Sequence, residues 1–139
     1  MLDRDHLTPP EALACTMVLV AAADGGITDR EIGVMAAQVQ SLPAFQGFSL
    51  AHLTEATEAA IALLEEPEGL THGGRLIRAA LSPALRETAY VLAAEIVAAE
   101  PTTGAETMRM LAFLAAELGI DPHIADALAR GARARQALP

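Results

Sequence analysis

Residues 12–32 read "ALACTMVLVAAADGGITDREI", and the order of apolar, acidic and capping residues in this stretch decides the fold. From Ala12 to Ala23 there is no charge, and Leu13, Met17, Val18, Leu19 and Val20 leave no polar face, so the segment suits a helix in the middle of a bundle. Thr8 is placed to cap it, Pro10 or Glu11 to start it, and Ala23 to end it. Asp24 and two glycines follow. Thr28 and Glu31 then form a capping box, and Ile27 with Ile32 a hydrophobic staple, at the start of a second helix. Its apolar stripe is Ile32, Met35, Ala36, Val39 and Leu42, and Pro43 ends it. An acid at the exit of an apolar helix faces the negative end of the helix dipole, which usually costs a few tenths of a kcal/mol. Asp24 therefore either bonds the amides of a turn or meets a cation.

The pattern returns in "SPALRETAYVLAAEIVAAEPTTGAETMRML", residues 82–111. Ser82 is a good cap, Pro83 suits a first helical position, and the helix that follows is again apolar almost all round. Thr103 and Glu106 repeat the capping box 75 residues after Thr28 and Glu31, while Glu100 falls 76 after Asp24. Between the copies, Ser49 caps a helix to Leu64 whose expected buried side is Leu53, Thr57, Ile61 and Leu64. "EEPEGLTHGG", residues 65–74, reads as a break with a flexible turn, and a short helix spans 75–81. Gly119 stops the sixth helix, Asp121 and Pro122 open the last, and residues 131–139 are expected to form a loose tail. The fold class is all-α: a single-domain bundle of about seven helices over 1–139, with repeat-like halves at about 11–42 and 83–118.

Composition agrees with this and removes several functions. Apolar residues make up 53% of the 139, with only three Phe and one Tyr, a poor basis for sheets. Lysine is absent, which excludes Schiff-base enzymes and phosphate loops that need its ammonium group. The net charge of −9 repels phosphate backbones, so nucleic acid is not an expected partner; Arg130, Arg133 and Arg135 read as a solvated helix end. The lone Cys15 reads as a buried structural thiol and the five methionines, Met35, Met108 and Met110 among them, as core filler. The first residues lack the basic start of an export signal, and apolar runs of about a dozen are too short to span a membrane, so a cytoplasmic location is expected.

With these motifs in hand, the chain resembles the tellurite-resistance TerB-like family. "AAADGGITDRE" matches that family's apolar helix ending in A-A-x-D-G before a helix with an early acid, and "VAAEPTTGAETMRML" with "AELGID" is similar to its second copy, over roughly residues 13–128. The resemblance implies a non-enzymatic helical module in a stress response of the tellurite type, with cation-binding acidic corners. That role carries over to Asp24 and Glu31. In the second copy Glu100 stands where the family tends to have Asp, and Pro101 where it has Gly.

Read from the residues alone, "DGGITDRE" matches the second half of a calcium loop, but the first two ligand positions fall on Val20 and Ala22, which excludes a complete EF-hand. Half a site needs oxygens from elsewhere, and Glu100 or Glu95 could supply them. The candidate ligands for a divalent cation, Ca²⁺ or Mg²⁺, are thus Asp24, Glu31, Glu95 and Glu100. Turn and cap duties also account for Asp24 and Glu31. Glu95, among uncharged neighbours, calls for a raised pKa or an arginine partner such as Arg86 or Arg109. His6, His52, His72 and His123 form no ligand pair, with His52 and Glu55 expected to face solvent, and no nucleophile–base motif is present. Three readings follow: a non-enzymatic module with a cation site or protein-contact surface at the acidic corner, partnered by another protein or by itself; a metal-dependent enzyme using the four carboxylates; and a lipid or small-molecule binder between the two apolar helices.

Overall fold

A computed structural model describes residues 3 and 5–139, and among them every regular element is helical. Seven α-helices follow one another: α1 (Pro9–Ala21), α2 (Asp29–Ser41), α3 (Leu50–Leu64), α4 (Gly69–Ala80), α5 (Pro83–Ala99), α6 (Ala105–Glu117) and α7 (Pro122–Ala134), with a 3₁₀ turn at Pro43–Phe45. The two apolar helices pack against each other more extensively than any other pair. Every residue of α1 from Ala12 to Ala21 is buried, and α5 buries Leu92, Ala93, Ala94, Glu95 and Ile96 in succession. Around this pair, α3, α4 and α6 cover α1, while α2, α6 and α7 cover α5. The one polar side chain inside α1, Thr16, donates to the Ala12 carbonyl at 2.8 Å, so its hydroxyl is satisfied within the helix.

Most helix starts follow their caps. The Thr8 and Thr28 side chains accept from the amides of Glu11 and Glu31, each glutamate answering as a capping box. Ser49, Ser82 and Asp121 cap α3, α5 and α7, and Gly119 takes the left-handed conformation, φ 68°, just past α6.

Four expectations are corrected. The stretch read as a break is the first half of α4, which begins at Gly69 rather than at Arg75. Its glycines are a packing surface: a Cβ on Gly73 would lie 2.6 Å from Leu63 Cδ2, and one on Gly74 3.0 Å from Glu117 Cγ. Close approach to α3 and α6 overrides the poor helix propensity of glycine, about 1 kcal/mol per residue. Second, the Thr103–Glu106 box does not form. The N-cap of α6 is Gly104, without a side-chain cap, and Glu106 instead pairs with Arg109 at 3.8 Å. Third, Ile32, Ile61 and Met108 are exposed, because α2 buries Glu31, Met35 and Val39, α3 buries Leu53, Ala56 and Ala60, and α6 buries Thr107, Leu111 and Leu114. Fourth, α7 runs through Gly131 to Ala134, and the chain is anchored at Arg135 as described below.

Candidate functional site

The two corners that follow the apolar helices meet at one end of the bundle. Thr28 is the link. Its hydroxyl accepts from the Glu31 amide at 3.1 Å and donates to Glu100 Oε1 at 2.7 Å, while Glu31 Oε1 accepts from the Thr28 amide at 2.8 Å. Arg30 Nη1 donates to the carbonyl of Ala99, the last residue of α5, at 3.1 Å, setting a cation against the negative end of that helix. The capping box of α2 is therefore also the clasp that holds the end of α5. Thr28→Ala removes both functions of the hydroxyl and is expected to cost about 1–2 kcal/mol in a urea melt. Thr28→Ser should recover most of it, and equal losses for the two variants would contradict the assignment.

Glu31 is buried in this corner, at 6% exposure. Burial pushes its carboxyl above the ordinary glutamate range, hydrogen bonding by Thr28 opposes this, and the Glu100 and Asp24 carboxylates push it further up. Asp24 is exposed and Glu100 half-buried, so the three acids share a field at the edge of solvent. A carboxyl whose pKa is raised by folding holds its proton more tightly in the native state. Its stabilising contribution is complete below the ordinary value of 4.5 and is lost as pH rises through the higher native value. Glu31→Gln keeps an acceptor for the Thr28 amide but cannot ionise. Urea melts from about pH 4 to 8 should show a flatter profile for this variant, with stability at neutral pH equal to or above the parent. A profile parallel to the parent would contradict the raised carboxyl.

Glu95 lies apart from the corner. Its Oε1 pairs with Arg135 Nε at 2.9 Å and its Oε2 accepts from Gln38 Nε2, so both oxygens of this buried carboxylate are engaged. The arginine partner is neither Arg86, which donates to the Arg78 carbonyl at 3.1 Å, nor Arg109, which pairs with Glu106. The reason is the length of α7: by staying helical to Ala134 it carries Arg135 back alongside α5. Asp24, Glu31 and Glu100 thus share one corner and Glu95 a separate cross-link among α2, α5 and the end of α7. Among the described residues, no group of three or more His, Cys, Asp and Glu side chains is arranged to hold a metal ion by itself. His52 serves α3 as a cap: its Nδ1 accepts from the Ser49 amide at 2.9 Å, and its ring rests on Phe48.

No local pattern singles out Arg30 or Gln38, and Arg135 reads in the sequence only as part of a solvated helix end. A contact between residues 57 or 69 positions apart leaves no mark in such a pattern. No family model, curated protein or solved structure matches this chain.

Proposed function

We propose that this chain is a non-enzymatic, TerB-like helical module whose acidic corner takes up a hydrated divalent cation, Ca²⁺ or Mg²⁺, in a stress response of the tellurite type. The observation that carries the reading is the crowding of carboxylates at the corner, where Glu100 and Asp24 both raise the carboxyl of Glu31. A cation relieves that repulsion. Mg²⁺ is commonly held through one or two carboxylates while keeping several waters, so Asp24 and Glu100 suffice as direct contacts and the site is weak. Glu95 is committed to Arg135 and Gln38, which leaves a four-carboxylate catalytic centre without one of its ligands.

Melting of the parent with millimolar Ca²⁺, Mg²⁺ or Mn²⁺ tests this, against NaCl of equal ionic strength because a chain of charge −9 gains stability from screening alone. At ten times its dissociation constant an ion should add about 1.4 kcal/mol beyond the salt control. Asp24→Asn should fold normally and lose that increment, since the amide keeps the shape and surrenders the charge. An increment that is absent in the parent, or undiminished in Asp24→Asn, contradicts the reading. Turnover in a broad hydrolase and transferase screen contradicts its non-enzymatic part.

A protein-contact role for the same end of the bundle is favoured by Ile32, 49% exposed one turn into α2. Asp29, Ile32, Gly33 and Ala37 share that exposed face, an apolar anchor beside one acid.

A further inference from the structure

α1 and α7 are the two helices that pack most extensively on α5, and they are attached differently. α1 is buried without a break from Ala12 to Ala21 and is backed by α3, α4 and α6. α7 packs on α5 and on no other helix to a comparable extent. It approaches closely because its inner side chains are small, and it buries little: Ala125 and Ala132 wholly, Leu128 and Ala129 in part. Apolar stabilisation scales with the area removed from water, so α7 draws far less of it from α5 than α1 does.

The two ends of α7 are also unlike. At its start a gap of about 200 Å³ lies beside Arg86, Leu118, Ile120 and Ile124, and Ile124 is exposed. The amides of Gly119 and Ile120 donate back to the carbonyls of Ala116 and Ala115 at 3.1 and 2.9 Å, so the turn belongs to α6 and the joint with α7 falls at Asp121. At the far end Arg135 holds Glu95, whose other oxygen is already fixed by Gln38. Tyr90 lies between. Burial pushes its phenol above the ordinary range, Asp126 pushes it further and Arg133 opposes, and both of these belong to α7.

We infer that α7 is a hinged cover on α5, jointed at Asp121 and latched by Arg135 on Glu95, which opens as a unit while the other six helices stay folded. Opening bares Tyr90 and frees one oxygen of Glu95, so a closed face of α5 comes to present a phenol and a carboxylate to solvent. The device is independent of the acidic corner.

Amide hydrogen exchange of the full chain, read by NMR in a series of low urea concentrations, tests this. The amides of Leu128, Ala129 and Ala132 should exchange through an opening that is easier than that of Val18 and Leu19 and much less dependent on urea, because little surface is exposed. Arg135→Ala should speed the α7 amides roughly three- to tenfold, Arg135→Lys less, and Arg130→Ala, which removes a charge from the same helix, hardly at all. Leu13→Ala weakens the closed and open forms alike, so it should speed Val18 and Leu19 by roughly thirtyfold or more and leave the α7 amides unchanged. The urea dependence of the parent decides the matter if Leu13→Ala does not fold. Exchange of α7 in step with Val18 and Leu19, with one urea slope, overturns the inference, as does an α7 rate that Arg135→Ala leaves unchanged.

Discussion

Leu13→Ala is expected to remove about 2–5 kcal/mol of folding stability, a large share of the margin of about 5–15 kcal/mol of a typical domain. Leu13 is fully buried in α1, the helix that α3, α4, α5 and α6 all touch. Truncation loses the transfer free energy of the side chain and leaves a cavity that the helices packed around α1 close only in part. A urea melt measures the loss directly. Leu138→Ala is the control: at 91% exposure it should change stability by less than about 0.5 kcal/mol. A loss below about 1 kcal/mol for Leu13→Ala would mean that α1 is not the centre of the bundle.

The second large effect concerns Gly69. A Cβ there would lie 1.7 Å from the Leu63 carbonyl oxygen and 2.8 Å from its carbon, and both belong to the backbone. No rotamer change relieves such a contact; the turn between α3 and α4 must move. Gly69→Ala is therefore expected to cost about 3 kcal/mol or more, the upper end of overpacking. Gly33→Ala should have the opposite sign. Gly33 lies inside α2 with no atom within 4 Å of its would-be Cβ, so alanine should stabilise by about 0.5–1 kcal/mol through helix propensity. Thermal or urea melts of the pair compare the two directly, and equal signs would contradict the geometry around Gly69.

The fold was legible where a local signal agreed with long-range packing. Apolar runs without a polar face identified α1 and α5 as the buried pair, and Thr8, Thr28, Ser49, Ser82 and Asp121 marked five helix starts because capping depends on residues within one turn. The sequence misled where packing overruled propensity. Gly73 and Gly74 look like a flexible turn, yet they let α4 lie against Leu63 and Glu117. The Thr103–Glu106 pattern looks like a cap, yet α6 starts from Gly104, one residue on.

The candidate site divides the same way. Thr28 and Glu31 were readable as a box, but the bond from Thr28 to Glu100 spans 72 residues and turns that box into a clasp. Glu95 was recognisable as a carboxylate in need of a partner. Its partner came from just past the last helix, where the chain after Gly131 was expected to form a loose tail and the helix in fact continues to Ala134.

The most direct test of the cation reading is anomalous scattering from Mn²⁺ in crystals of the parent chain, since Mn²⁺ accepts the same oxygen ligands as Mg²⁺. A single anomalous peak within coordination distance of the Asp24 and Glu100 carboxylates, absent from Asp24→Asn crystals under the same conditions, is the predicted result. Crystals held in millimolar Mn²⁺ that show no peak at that corner, or show one that persists in Asp24→Asn, would contradict it.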